Sequence, residues 1–307
     1  MTRISDNDGS ATILTILMAA VIITVGLAFN WLVKEHLKVS EGLKNKSEAI
    51  LKARSAYDTI VYLVLNGRVF PREIIPVVSN DVSGLKALPL DGQKIAFPND
   101  LYVQVQDSNG MLSLINTNTA AMGRLLKKVG GLDDTSGITD SFLDWIDVGN
   151  FARVNGAKEF YYKGQGLPYA SRNYAIQYKD EVAFIKGMNK ELYGKIEPYL
   201  TMLPSTGFNP NTANDEVLMA YLNINEDSLK NLKDYMSKKA VTSDIELFAL
   251  TGRRIMGHDE GVYFFPSPFV EITVSAGTPR SIYTIRAGID TRQGMRSPYS
   301  VMYWREE

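Results

Sequence analysis

The chain has no cysteine and only two histidines, His36 and His258, among its 307 residues. The first absence excludes disulfides, thiolate metal sites and a cysteine nucleophile. The second leaves imidazoles too few and too far apart for the common zinc and triad chemistries. An excess of charge of one sign is also missing: 33 Lys and Arg face 34 Asp and Glu. Nothing in that balance draws the chain to phosphate backbones. Gly-x-Ser-x-Gly, Walker Gly-Lys-Ser/Thr and His-Glu-x-x-His do not occur, and Gly164-Gln165-Gly166 lacks a third glycine and a preceding strand. These absences argue against an enzyme. What remains, 45% apolar and 22% charged residues, is ordinary for a folded protein of about two domains.

The most informative stretch is the first. Ser10 to Val33 holds 24 residues and no charged side chain. As a helix it reaches roughly 36 Å, enough for a bilayer core of about 30 Å. It is longer than the apolar segment of a secretory signal, about 7–15 residues, and no small-x-small cleavage site follows. The pattern predicts a transmembrane helix over 10–33 behind a polar leader, 1–9, that ends Asp6-Asn7-Asp8-Gly9. Lys34 to Asn66 contains no proline and one early glycine, Gly42. Leu43, Ile50, Tyr57 and Val64 recur every seven residues, with Ala53 and Ile60 between them. This predicts that the helix continues outside lipid as an amphipathic stalk covering a core. The flanking charges point the other way on topology. Arg3 is opposed by Asp6 and Asp8, whereas Lys34, Lys38, Lys44 and Lys46 follow the span, which alone puts the C-terminal bulk in the cytoplasm.

Further on, Leu101–Gln106 alternates as a strand, and Phe269–Ser275, Ser281–Ile289 and Tyr299–Trp304 follow as an antiparallel meander. From about Gly110 to Leu250 the periodicity is helical. One strand, a long helical block and then a run of strands predicts an α+β unit with an all-α insertion. Within the insertion, Asn116-Thr117-Asn118-Thr119-Ala120 recurs as Asn209-Pro210-Asn211-Thr212-Ala213, each copy preceding a helical run. Asn and Thr suit helix N-caps, so the echo predicts a duplicated pair of capped helical modules.

In order along the chain stand Phe142-Leu143-Asp144-Trp145-Ile146-Asp147, Gly156-Ala157, Tyr161-Tyr162, Pro168-Tyr169 and Arg172-Asn173. Ile185-Lys186-Gly187-Met188, Leu192-Tyr193 and Pro198-Tyr199-Leu200-Thr201 complete the string. With the leader and both Asn-x-Asn-Thr-Ala segments, this resembles the minor pseudopilin K family of type II secretion. The resemblance implies a pilin-like α+β fold, a long N-terminal helix packed on an antiparallel sheet and interrupted by a large all-α domain. On that plan 34–110 is the stalk and first part of the body, 111–260 the insertion and 261–307 the closing strands. It implies a non-enzymatic subunit at the tip of the secretion pseudopilus, starting or capping filament assembly. Its partners would be I- and J-type minor pseudopilins, the prepilin peptidase transiently, and the inner-membrane secretion platform. The protein would be single-pass in the inner membrane with its body in the periplasm, against the flanking-charge count.

The resemblance also implies cleavage after Gly9 and N-methylation of Ser10. Ordinary pilins carry a glutamate at the fifth mature position, which is Leu14 here. A carboxylate in lipid needs a partner, and a subunit without one suits a filament tip. Some members of the family bind calcium in the helical domain. The corresponding acids here are Asp144, Asp147, Glu159 and Glu181, with Asp140 on the same helical face as Asp144. Calcium takes about six to eight oxygens, and a solvated acidic face with capping carboxylates is the other reading of these residues. Two departures stand out. Asp6 and Asp8 occupy positions where prepilin leaders usually carry Lys or Arg, and Lys158 stands where a glutamate is common. Other readings are a minor tip pilin of a related type IV pilus and a helix-hairpin-helix DNA-binding competence protein. The second is weakened because no Gly-x-Gly follows Asn211, and Asp133 and Asp134 follow the first copy's glycines.

Overall fold

The computed structural model describes residues 8–77, 85–253, 264–278, 281–294 and 297–307. The chain opens with α1 (Asp8–Asn66), followed by β1 (Arg68–Val69), β2 (Glu73–Ile75), β3 (Leu88–Pro89), β4 (Ile95–Phe97) and β5 (Leu101–Asp107). After β6 (Leu112–Ser113) come α2 (Thr119–Gly130), α3 (Ser136–Ile146), α4 (Glu159–Gly164) and α5 (Lys190–Ile196). Next are β7 (Leu200–Thr201), α6 (Asp215–Leu222), α7 (Glu226–Met236) and α8 (Asp244–Thr251). The chain closes with β8 (Phe269–Thr278), β9 (Ser281–Asp290) and β10 (Ser300–Glu306).

α1 runs unbroken for 59 residues, about 88 Å at 1.5 Å per residue. From Ala11 to about Val39 its apolar side chains are exposed, and no part of the apolar window is covered by the rest of the protein. The N-terminal apolar segment thus has the length and composition of a single-pass membrane anchor. Farther along, Ala49, Ala53, Tyr57, Ile60, Val61 and Val64 turn inward against β8 and β9. The buried stripe begins at Ala49. Leu43, expected in it from the heptad spacing, is exposed because the sheet does not reach that far down the helix. Alanine at 49 and 53 lets backbone approach closely: a Cβ placed on Gly277 would lie 3.1 Å from Cβ of Ala49.

The main sheet has the order β10-β9-β8-β5-β4, antiparallel throughout. Strand alternation puts Val103 and Val105 of β5, Val270, Ile272, Val274 and Ala276 of β8, and Tyr283, Ile285, Ala287 and Ile289 of β9 in one core with α1. Each large apolar side chain so buried is worth about 1.5–3 kcal/mol. The four strands read from the sequence are present, and β10 is shifted slightly toward the C-terminus. The small sheet β1-β2-β3 and the edge strand β4 lacked a readable pattern, at two or three residues each.

The helical block leaves the sheet after β5 and returns to it before β8, two strands that neighbour each other. It has its own core, built around Met122, Leu125, Phe142, Trp145, Tyr162, Leu218 and Leu232. The parallel pair β6·β7, Leu112 with Leu200 and Ser113 with Thr201, ties its entry to its middle. Near the block's exit from the sheet, Asn209 donates to the carbonyl of Pro71 at 3.0 Å. Pro71 follows the C-terminal end of α1, whereas Gly277, at the other end of β8, lies by Ala49. The block therefore springs from the end of the body farthest from the anchor. The expected boundary between residues 260 and 261 lies outside the described residues.

Candidate functional site: the anchor helix, the buried junction and the acidic cluster

Gly9 and Ser10, where the resemblance implies processing, stand in the first turn of α1, and Leu14 is exposed on the same helix one turn later. Residues 1–7 of the expected leader lie outside the described residues. Leu14 is one of a continuous exposed apolar set that includes Ile13, Leu17, Met18 and Val21. That surface has no value to a chain standing alone in water and suits lipid or other apolar helices.

At the junction of body and insertion lies a buried polar knot that sequence reading missed. Asp107 continues the inward alternation of Val103 and Val105, so the strand carries its carboxylate into the interior. Oδ1 accepts from the amides of Asn109 at 3.1 Å and Ser267 at 2.8 Å. Oδ2 accepts from Asn209 Nδ2 at 3.1 Å and Thr212 Oγ1 at 2.8 Å. Burial pushes the Asp107 carboxyl above its ordinary range, and these four donors oppose the shift. Asn211 extends the knot, donating to the carbonyl of Val241 and accepting from its amide, both at 2.8 Å.

The two copies of the Asn-x-Asn-Thr-Ala echo therefore do different jobs. In the first, Asn118 caps α2 by accepting from the amide of Ala121 at 2.9 Å, as expected. In the second, Asn211 and Thr212 face inward, and the cap of α6 is Asn214, which accepts from Val217. Pro210 and the inward bonds of Asn209 delay that helix by about one turn. The Gly130-Gly131 segment leads into Asp134, whose carboxylate accepts from the Ser136 amide and so covers the start of α3 with negative charge.

The acids considered for calcium are separated by cations of the chain itself. Asp144, fully buried on α3, accepts from Arg153 Nη1 on Oδ1 at 2.7 Å and from the Arg153 amide on Oδ2 at 3.0 Å. Asp147 Oδ2 lies 3.8 Å from the same Nη1. Asp140 accepts from the Asn155 amide at 3.2 Å. Glu159 is at the surface in an ion pair with Lys163. Glu181 stands apart, forked by Arg172 at 2.5 and 2.6 Å and bonded by Trp145 Nε1 at 3.3 Å and the amides of Gln177 and Tyr178. Burial alone would raise the Glu181 carboxyl, yet Arg172 and these donors together hold it below the usual glutamate range. Among the described residues no three His, Asp or Glu side chains assemble as a metal site. The structure brings Asp144 and Asp147 together and leaves Glu159 and Glu181 elsewhere, so this set does not present the six or more free oxygens calcium needs. Trp145 and Tyr162 are buried edge to face at 5.5 Å, part of the core of the helical block.

Residues 100–205 match the family described as type II secretion system (T2SS), protein K. Type II secretion system protein K of Pectobacterium carotovorum subsp. carotovorum is 29% identical over 120 residues, 38% of this chain and 37% of its own length. A putative type II secretion system protein K of Escherichia coli strain K12 is 34% identical over 101 residues, 31% of each chain. The chain thus spans about a third of the length of these curated relatives in matched sequence. A chain in the crystal structure of the GspK-GspI-GspJ complex from enterotoxigenic Escherichia coli shares the fold. Its TM-score is 0.51 at 16% identity, covering 90% of this chain and 99% of that one. The resemblance to the protein K family drawn from the ordered motif string is borne out, and so is the α+β pilin-like fold with its helical insertion.

Proposed function

We propose that the chain, a relative of type II secretion system protein K, is a non-enzymatic minor pseudopilin that starts or caps the secretion pseudopilus. In this reading the prepilin peptidase cuts after Gly9, Ser10 becomes the methylated N-terminus, and the helix from Ser10 holds the body on the periplasmic side of the inner membrane. The exposed apolar face around Leu14 then packs beside the helices of I- and J-type minor pseudopilins, and the assembly meets the inner-membrane platform.

The observation that carries this reading is the position of the helical block. It grows from the membrane-distal end of the body, next to Pro71 beyond the end of α1. In a filament of parallel helices that is where the next subunit would stack, so a chain with a block there ends the filament. Leu14 agrees, because an apolar residue needs no upward partner for a lipid-buried charge.

Co-purification tests it. The full chain, produced in membranes with I- and J-type subunits, is expected to be recovered with both in one complex. Recovery of the chain alone, under conditions in which the I- and J-type subunits still associate, would overturn the proposal.

A further inference from the structure

We infer that two of the chain's own cations, the Arg153 guanidinium and the Lys158 ammonium, occupy the place a divalent ion would take among the oxygens of Asp144, Asp147 and Asn173. The helical block then closes without calcium.

Lys158 is buried, and a buried ammonium is tolerated only when oxygens surround it. Its Nζ donates to the carbonyl of Asp147 at 2.5 Å and to Oδ1 of Asn173 at 3.1 Å. Arg153 takes both carboxylate oxygens of Asp144, through its side chain and its amide, and its Nη1 also faces Asp147. Two carboxylates, a main-chain carbonyl and a side-chain amide oxygen thus converge on two positive groups from the intervening loop. These are the hard oxygen donors a calcium ion would collect. The nest is fitted to its contents. A Cβ on Gly156 would fall 1.9 Å from Oδ2 of Asp144, so the loop passes the carboxylate with no room for a side chain. A tethered cation differs from a bound ion in one measurable way: it cannot be removed by a chelator, and free calcium does not stabilise the fold through it.

The test is thermal unfolding of the full chain in detergent after chelator treatment, with and without calcium, together with terbium emission sensitised by Trp145. The wild type is expected to keep the same Tm in both conditions and to give no calcium-displaceable terbium signal. A rise of several degrees with calcium, or a displaceable signal, would overturn the inference. The double variant Arg153→Gln, Lys158→Glu is expected to acquire a calcium-dependent rise in Tm. If it fails to fold, Lys158→Glu alone takes its place. A variant that folds and stays blind to calcium would show that these side chains do not stand in for an ion.

Discussion

Asn209 donates its side-chain amide to Oδ2 of Asp107 at 3.1 Å, across 102 residues of sequence and wholly inside the protein. This bond clamps the root of the helical block to the last residue of β5. Asn209→Ala would leave the Pro71 carbonyl and one oxygen of Asp107 short of a donor, and the main-chain amide of Asn211 without its acceptor, while the Asn211 side chain keeps the Val241 carbonyl. Buried unsatisfied groups cost about 1–3 kcal/mol each. We expect a loss of about 3 kcal/mol in denaturant unfolding of the full chain. Asp107→Asn is expected to cost about 1–3 kcal/mol, because its new amide group would face the amide of Asn209. The two substitutions together should fall short of the sum, as residues in one network do.

The Glu181–Arg172 fork makes stability sensitive to acid. The Glu181 carboxyl is held below its ordinary value of 4.5, so its contribution is complete above that pH and is lost as pH falls through the lowered value. Asp107, raised by burial, has the opposite sign, its ionised form weakening the fold as pH rises. Glu181→Gln should therefore lower stability at neutral pH by about 2 kcal/mol, a charged hydrogen-bonded pair being lost. It should also flatten the decline below about pH 4.5, read from unfolding midpoints across an acid series.

Gly156→Ala adds a methyl where Asp144 already lies, with 1.9 Å to Oδ2 and 2.8 Å to Cγ. The carboxylate is buried and held by Arg153, so it cannot step aside cheaply. An overpacking cost of about 1–3 kcal/mol is expected, measured as a fall in Tm, with the body's sheet intact by circular dichroism.

Leu14→Glu tests the anchor helix separately from the folded body. It places a carboxylate in the apolar segment, at a cost of about 2.5–3.5 kcal/mol at a span's centre and less toward its end. With the body's Tm unchanged, co-purification with the I- and J-type subunits should weaken.

Much of this was legible in the residues. The uncharged run from Ser10 and the two-residue alternation of Val103 and Val105 or Ile272 and Val274 report directly on lipid and sheet. The buried knot was not legible, because Asp107 reads as the polar end of a strand until its distant donors Asn209 and Thr212 are known. The second Asn-x-Asn-Thr-Ala copy misled for the same reason: a side chain that can cap a helix can equally bond across the fold. The acids at 144, 147, 159 and 181 looked like one cluster in sequence. Arg153, Lys158 and Arg172, which divide them, sit in loops whose path periodicity does not encode. Lys158, which departs from what the resemblance implies at that position, was a visible sign that positive charge is built into this region.

The most direct test of the account is the intact mass of the protein drawn from the membranes of its native host. The account predicts a chain that begins at Ser10 and carries one methyl group on its N-terminus. A chain still beginning at Met1, in cells whose other pseudopilins are cleaved, would contradict it.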